Sequence, residues 1–435
     1  ARYIGFDYRA AVDGPAAHLA PGERSAPLRL AALAGDGGWR PLRAALLHWA
    51  GRPAGEAPAE HPKQWLRLGP AVSRTLDDAV TLPLEVASAS RQMLSGRVEI
   101  VCGDGLAAEP GEMVVENLIR GELFAQPVTL RLPVGRPSVW RGEARLELPN
   151  VAAAAPFVVM RPGTAGPVDV ARGEAAGQEM WTIANGVWRW TVAPGFGPSV
   201  VAWEPEQGGA SGAAENLLWS PFPERGAFSW DYPWFGGVHA RFNPVGRWGG
   251  IGYLHREPVV AAPVTVADSA GLPWQGLRLT IEVALRELRG LRVEIDYLTV
   301  AGSNVLRLVY RLHNGRAAEL ALWAGATVAA RLGGDPLRLT LRGEHTTRRP
   351  TPWGTYITEQ RWGALTDEAD GRTLLMVGCQ PDVCLDDRGI AGRALGSGSE
   401  AHVPANGMLT REYYLAVAPT YEGALAWRAL GENAP

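Results

Sequence analysis

Along most of the chain, apolar and polar positions alternate or gather into short β-branched runs that recur about every ten residues. A period of two puts successive side chains on opposite faces of an extended strand, so these runs predict strands. They include residues 98–101, 277–284, 291–299, 305–312 and 373–377. Between such runs stand Asp36-Gly37, Asp104-Gly105, Asn314-Gly315 and Asp370-Gly371, pairs that accept the positive φ values of tight hairpins. The sharpest pattern, 305–312 followed by Asn314-Gly315 and 317–323, predicts a hairpin. A helical period is clear only over 421–430, through Leu425, Trp427 and Leu430. A weaker one covers 41–49, with Pro41 tolerated at the first helical position. The chain therefore reads as all-β, of sandwich type.

The segment Arg161-Pro162-Gly163-Thr164-Ala165-Gly166-Pro167 and then residues 173–178 are rich in Gly, Ala, Pro and Glu, which predicts a boundary within 162–180. Residues 1–25 read as an arm or linker. Residues 26–165 carry about seven strand patterns at a spacing that suits an immunoglobulin-like β-sandwich. Residues 175–435 show no second break and predict one larger β-unit.

Composition narrows the function. The 42 basic and 45 acidic residues give a net charge of −3, without the basic excess of a nucleic-acid binder. No apolar run reaches 18 residues, so no spanning helix is expected. Residue 1 is Ala, which leaves a removed leader or upstream segment open, and with it a cytoplasmic or a secreted location. Cys379 and Cys384 form a C-x4-C without a matching pair, which is no zinc site; a local disulfide and two separate thiols both stay open. Asp367, Glu368 and Asp370 lack the spacing of a calcium loop and read as a solvated hairpin tip. No nucleophile elbow, zinc-protease motif, phosphate loop or dinucleotide fingerprint occurs.

The chain has 17 Trp, nine of them between Trp181 and Trp274. The richest segment is 230–257, with Trp230, Tyr232, Trp234, Phe235, Phe242, Trp248 and Tyr253 interleaved with His239, His255, Arg241, Arg247, Arg256, Asp231 and Glu257. Gly236 and Gly237 allow a sharp turn there. Aromatic faces stack on the C–H surfaces of sugars while charged groups bond hydroxyls, so this mixture points to a sugar site. A Gly-rich loop packed by its own aromatics is the competing reading. On a strand, His255 and Glu257 would share one face and Arg256 the other.

Several stretches resemble a known family. Ile183-Ala184-Asn185-Gly186-Val187-Trp188-Arg189-Trp190, Asn216-Leu217-Leu218 and Ser220-Pro221-Phe222-Pro223 are similar to the opening of a galactose mutarotase-like, aldose 1-epimerase-type supersandwich. Pro233-Trp234-Phe235-Gly236-Gly237 and His255-Arg256-Glu257 resemble loops of epimerase-like branches, and Arg411-Glu412-Tyr413-Tyr414-Leu415-Ala416-Val417 resembles the closing strand. Earlier, residues 111–117 and 127–133 resemble accessory β-domains of carbohydrate-active enzymes. The family's second histidine is missing from 320–328, where Trp323, Gly325 and Thr327 stand instead.

The resemblance implies a sugar or glycan ligand and two readings. In the first, an aldose 1-epimerase-like enzyme opens the ring at the anomeric carbon. His239 or His255 is then the acid and Glu359 or Glu344 the base. Asp231, Trp234, Phe235, Arg241, Arg256 and Glu257 bind substrate, and no metal or cofactor is called for. In the second, the chain is a non-catalytic carbohydrate-binding or scaffold part of a larger glycoside-active enzyme.

Overall fold

The computed structural model describes residues 66–432 except 89–91, 104, 121, 136, 150, 207–214, 229–230, 246–253, 381 and 390–391; the side chains of 228, 231–232 and 355–359 also lie outside the description. The expected arm at 1–25, the turn at Asp36-Gly37 and the helix at 41–49 fall outside the described residues. Those described belong to one compact unit, Pro62–Pro435.

The fold is all-β. Among the described residues, a four-stranded and a five-stranded sheet occupy 66–161. Their facing apolar positions, among them Leu84, Val98, Leu130, Leu146 and Val159, are fully shielded and form one core. Beyond Arg161 the chain builds two larger sheets. The ten-stranded one runs Asp169–Ala175, Gln178–Ala184, Trp188–Ala193, Ser199–Pro205, Val238–Pro244, Leu320–Val328, Arg393–Ser397, Val383–Asp387 and Thr355–Gln360, with Ser399–Val403 also pairing with Leu320–Val328. The nine-stranded one has Val259–Ala267, Pro273–Glu282, Leu291–Thr299 and Val305–Asn314 on one side of Met408–Ala418 and Thr373–Gly378, Trp362–Thr366, Thr340–Gly343 and Thr347–Arg348 on the other.

The sequence pattern explains this layering. In Leu320–Val328, Leu320, Leu322, Ala324, Ala326 and Val328 face the core between the two large sheets, as do Val238, Ala240 and Phe242 of the neighbouring strand. Trp190 and Trp203, 5.4 Å apart, fill the same core. Each fully buried side chain of this kind is worth about 1.5–3 kcal/mol of transfer free energy. The odd positions of these strands lie on the outer face of the ten-stranded sheet.

One expectation fails. Val305–Asn314 and Leu320–Val328 are not a hairpin: the first pairs with Leu291–Thr299 and Met408–Ala418, the second with Val238–Pro244. Asn314-Gly315 is a crossover between sheets. The Asn314 side chain donates to the carbonyls of Ala318, Val403 and Pro404 and accepts from the Arg316 amide, which fixes the corner. The Asp370-Gly371 turn, by contrast, does join Trp362–Thr366 to Thr373–Gly378. The helical pattern near the C-terminus becomes an α-helix over Tyr421–Ala426, capped by Thr420, and a 3₁₀ turn over Trp427–Gly431. Cys379 and Cys384 are separate thiols. Among the described residues no helix is long and apolar enough to cross a membrane.

Candidate functional site

Three strands that lie side by side only in space, Val238–Pro244, Leu320–Val328 and Val383–Asp387 with its Arg393–Ser397 neighbour, turn their polar residues to the outer face of the ten-stranded sheet. Register sets His239 opposite Thr327, Arg241 opposite Gly325 and Asn243 opposite Trp323. Val383 and Leu385 face the core, so Asp386 projects outward. Arg388 donates through Nε and Nη2 to Oδ2 of Asp386, at 2.9 and 2.7 Å. Gly325 is needed for closeness, since a Cβ there would stand 2.4 Å from the Ser397 carbonyl oxygen.

His239 is the centre of this face. Its Nδ1 lies 3.0 Å from the Gly236 carbonyl oxygen. A carbonyl only accepts, so Nδ1 carries the proton and Nε2 presents a lone pair. Complete burial pushes the imidazole pKa down to about 3; the Gly236 bond opposes this, and the nearby charges of Arg241 and Arg388 add to it. The ring is therefore neutral at physiological pH and acts as an acceptor, not as an acid. Among the described residues, Nε2 and the Thr327 hydroxyl, on adjoining strands, have no hydrogen-bond partner, and both are enclosed.

The depressed pKa has a consequence for stability. The unfolded chain takes up a proton at this histidine below about pH 6.5, whereas the folded one does so only near pH 3. The unfolded state binds more protons in that window, so stability is lost as pH falls through it. Between about pH 6 and pH 4, wild-type stability is expected to fall more steeply than that of His239→Gln, by up to about 1.4 kcal/mol per pH unit. Parallel urea-melt curves for the two proteins would remove this histidine as the cause.

The other expected site residues disperse. Trp234 is 4% exposed and packs with Trp219, Ala329 and Ala394, the last being the register partner of Asp386. Phe235 is fully buried, edge-on to Phe196 at 4.9 Å with the Arg225 guanidinium over its ring. Both are buried packing residues rather than exposed platforms. Residues 254–257 form a helical turn closed by the Glu257 amide on the Leu254 carbonyl, so His255 and Glu257 do not share a strand face. His255 sets its ring 5.6 Å from that of Phe235. Glu257 instead accepts from the amides of Ala284 and Leu285 and borders a cleft of about 780 Å³ with Phe196, Glu224 and Arg225. Arg256 is exposed on the turn and Arg241 half-buried. Glu344 accepts from the Arg361 amide and opens a different cleft, of about 560 Å³, beside Trp362, Arg428 and Glu432. The backbones of Asp231 and Glu359 lie in strands Asp231–Trp234 and Thr355–Gln360, their side chains outside the description. Among the described residues no cluster of His, Cys, Asp and Glu is fit to hold a metal ion.

Sequence reasoning missed Asp386 and Arg388, and met Thr327 only as a residue standing where the family's second histidine is absent. The available signal was the charged run 386–388 ending an otherwise apolar strand.

No protein-family model and no curated protein matches the chain. Among solved structures it is similar to a galactose mutarotase-like protein from Clostridium acetobutylicum, at 9% identity and TM-score 0.43 over 58% of this chain and 99% of that one. It is also similar to a putative aldose 1-epimerase from Klebsiella pneumoniae, at 10% identity and TM-score 0.39 over 68% and 88%. A third is an α-galactosidase from Geobacillus stearothermophilus in complex with 1-deoxygalactonojirimycin, at 11% identity and TM-score 0.33 over 58% and 41%.

Proposed function

We propose that the protein recognises a carbohydrate on the outer face of its ten-stranded sheet, with the smaller sandwich an appended immunoglobulin-like accessory unit. One observation carries the reading: the enclosed, unpartnered pair of His239 Nε2 and Thr327 Oγ1. Buried polar atoms almost always have partners, and those that lack one call for an explanation. Other buried polar atoms among the described residues also lack hydrogen-bond partners. They include the indole N–H groups of Trp190 and Trp203 between the sheets and side-chain atoms of Ser73, His313 and Asp382 elsewhere, and none of these shares a register pair on the outer face. His239 and Thr327 sit on the outer face, next to Arg241, Asp386 and Arg388. Both atoms are enclosed, so a sugar reaches them by displacing the side chains over them; one hydroxyl then donates to Nε2 while its neighbour accepts from the threonine. Arginine and carboxylate then bond further hydroxyls, and the sequence resemblance to mutarotase-like proteins points to the same ligand class.

Thr327→Val tests this, because it keeps the β-branched shape and removes only the hydroxyl. Removing a buried, unsatisfied hydroxyl is expected to leave stability unchanged or raise it by about 1 kcal/mol. The affinity for sugar is expected to fall roughly three- to tenfold. Calorimetry against a panel of aldoses and oligosaccharides measures the second effect and thermal melting the first. Undiminished affinity in the variant would move the site elsewhere, and a wild type that binds none of the panel would end the carbohydrate reading.

A second reading, aldose 1-epimerase activity, is favoured by one fact: Glu359 belongs to the same sheet as His239, whereas Glu344 does not. Ring opening needs an acid and a base within reach of one anomeric centre. Neutral His239 suits the accepting role, and Glu359 fills the donating one only as the protonated carboxylic acid. Polarimetry of freshly dissolved aldoses separates this enzyme from a binding protein.

A further inference from the structure

The exposed residues on the same face suggest what size of carbohydrate it takes. In Leu320–Val328 the outward positions are Ala321, Trp323, Gly325 and Thr327. Thr327 lies four residue steps beyond Trp323, a run of roughly 13 Å along the strand. That is longer than a single pyranose ring. At the far end Trp323 is 40% exposed, although Trp is usually well shielded in a core of this size. Register puts Asn243 beside it on one neighbouring strand and Glu400 on the other. Glu400, about half-exposed, is joined by His402, whose Nδ1 lies 2.8 Å from the Glu319 carboxylate. A part-exposed indole with a half-exposed carboxylate on one side and a buried amide on the other is suited to hold a sugar ring: C–H groups on the face, hydroxyls at the carboxylate edge. Gly325 adds no side chain between the two ends.

We infer that Trp323, with Asn243 and Glu400, forms a distal subsite, and that the ligand is an oligosaccharide running along Leu320–Val328 from the His239–Thr327 pair. This rests on the carbohydrate reading above. Its test is calorimetric titration of the full chain and of Trp323→Ala with glucose, galactose, and malto- and galacto-oligosaccharides of two to six units. In the wild type, affinity should rise from the single sugar to the chains that reach Trp323. In Trp323→Ala it should fall roughly tenfold for those chains and stay within about twofold for the single sugar, the pattern of a lost aromatic anchor. Because Trp323 lies outside the core, the variant is expected to melt with the wild type. An equal loss for all lengths, or no loss for any, would overturn the distal subsite while leaving the carbohydrate reading standing. A wild type that binds no member of the panel would overturn both.

Discussion

Arg74→Ala is expected to destabilise the protein by about 3–5 kcal/mol, the cost of removing one partner from a buried, hydrogen-bonded ion pair. Arg74 ends the strand Val72–Arg74, which pairs in parallel with Val151–Arg161 in the five-stranded sheet. Its guanidinium reaches across to the larger sheets. It donates to Asp268 Oδ2 at 3.2 Å, to the Tyr414 hydroxyl at 3.1 Å and to the Leu430 carbonyl at 2.6 Å. The Arg74 and Asp268 side chains are 5% and 1% exposed, so water cannot replace the lost charge. Around this pair Val72, Val158 and Met160 of the small sandwich pack with Trp274, Leu298, Val300 and Trp427. Asp268 keeps its bonds from the Ala270 and Leu272 amides and the Trp274 indole, so the measured loss belongs to the arginine. Arg74→Lys should fall between the two, because a point-like ammonium cannot serve three acceptors in a fixed fork. Urea unfolding gives all three values; a loss below about 1 kcal/mol for the alanine variant would show that apolar packing alone joins the sandwiches.

Gly237→Ala is expected to cost more than about 2 kcal/mol and to abolish ligand binding at His239. Gly236 and Gly237 have φ of +60° and +64°, where an L side chain is strained. A Cβ on Gly237 would also lie 2.0 Å from the Val200 carbonyl oxygen. The backbone cannot yield, because the Gly237 amide bonds the Trp219 carbonyl and its own carbonyl bonds the Ala329 amide. This turn carries the Gly236 oxygen that fixes the His239 tautomer, so shifting it disorders the acceptor as well as the sheet. Gly173→Ala is the control: it sits in an edge strand with no heavy atom within 4 Å of the added carbon. Thermal melting should separate the two, and equal melting temperatures would contradict the account of the turn.

The strands were legible because each large sheet keeps one face in the core, and alternation along the chain records that face directly. What alternation does not record is which strand lies beside which. Asn314-Gly315 carries the residues of a hairpin turn, yet the apolar faces on either side belong to different sheets, and the crossover resolves that demand. The site was half legible for the same reason. The aromatic density of 230–257 pointed to one strand of the candidate site, and His239 and Arg241 stand on it. Trp234 and Phe235, however, are the packing that holds the Gly-Gly turn. Thr327 and Asp386 come from strands about ninety and one hundred and fifty residues further on in the sequence. Nothing local marks a threonine as the register partner of a distant histidine.

Neighbouring sugar hydroxyls are expected to complete the His239–Thr327 pair. A crystal structure of the full chain grown with the oligosaccharide that binds it best in the calorimetric panel tests this most directly. Sugar density is expected on the outer face of the ten-stranded sheet, with one hydroxyl within hydrogen-bond distance of His239 Nε2 and its neighbour within that distance of Thr327 Oγ1. Ordered sugar in the cleft beside Glu257 or the one beside Glu344, with the His239–Thr327 pair still unpartnered, would contradict it.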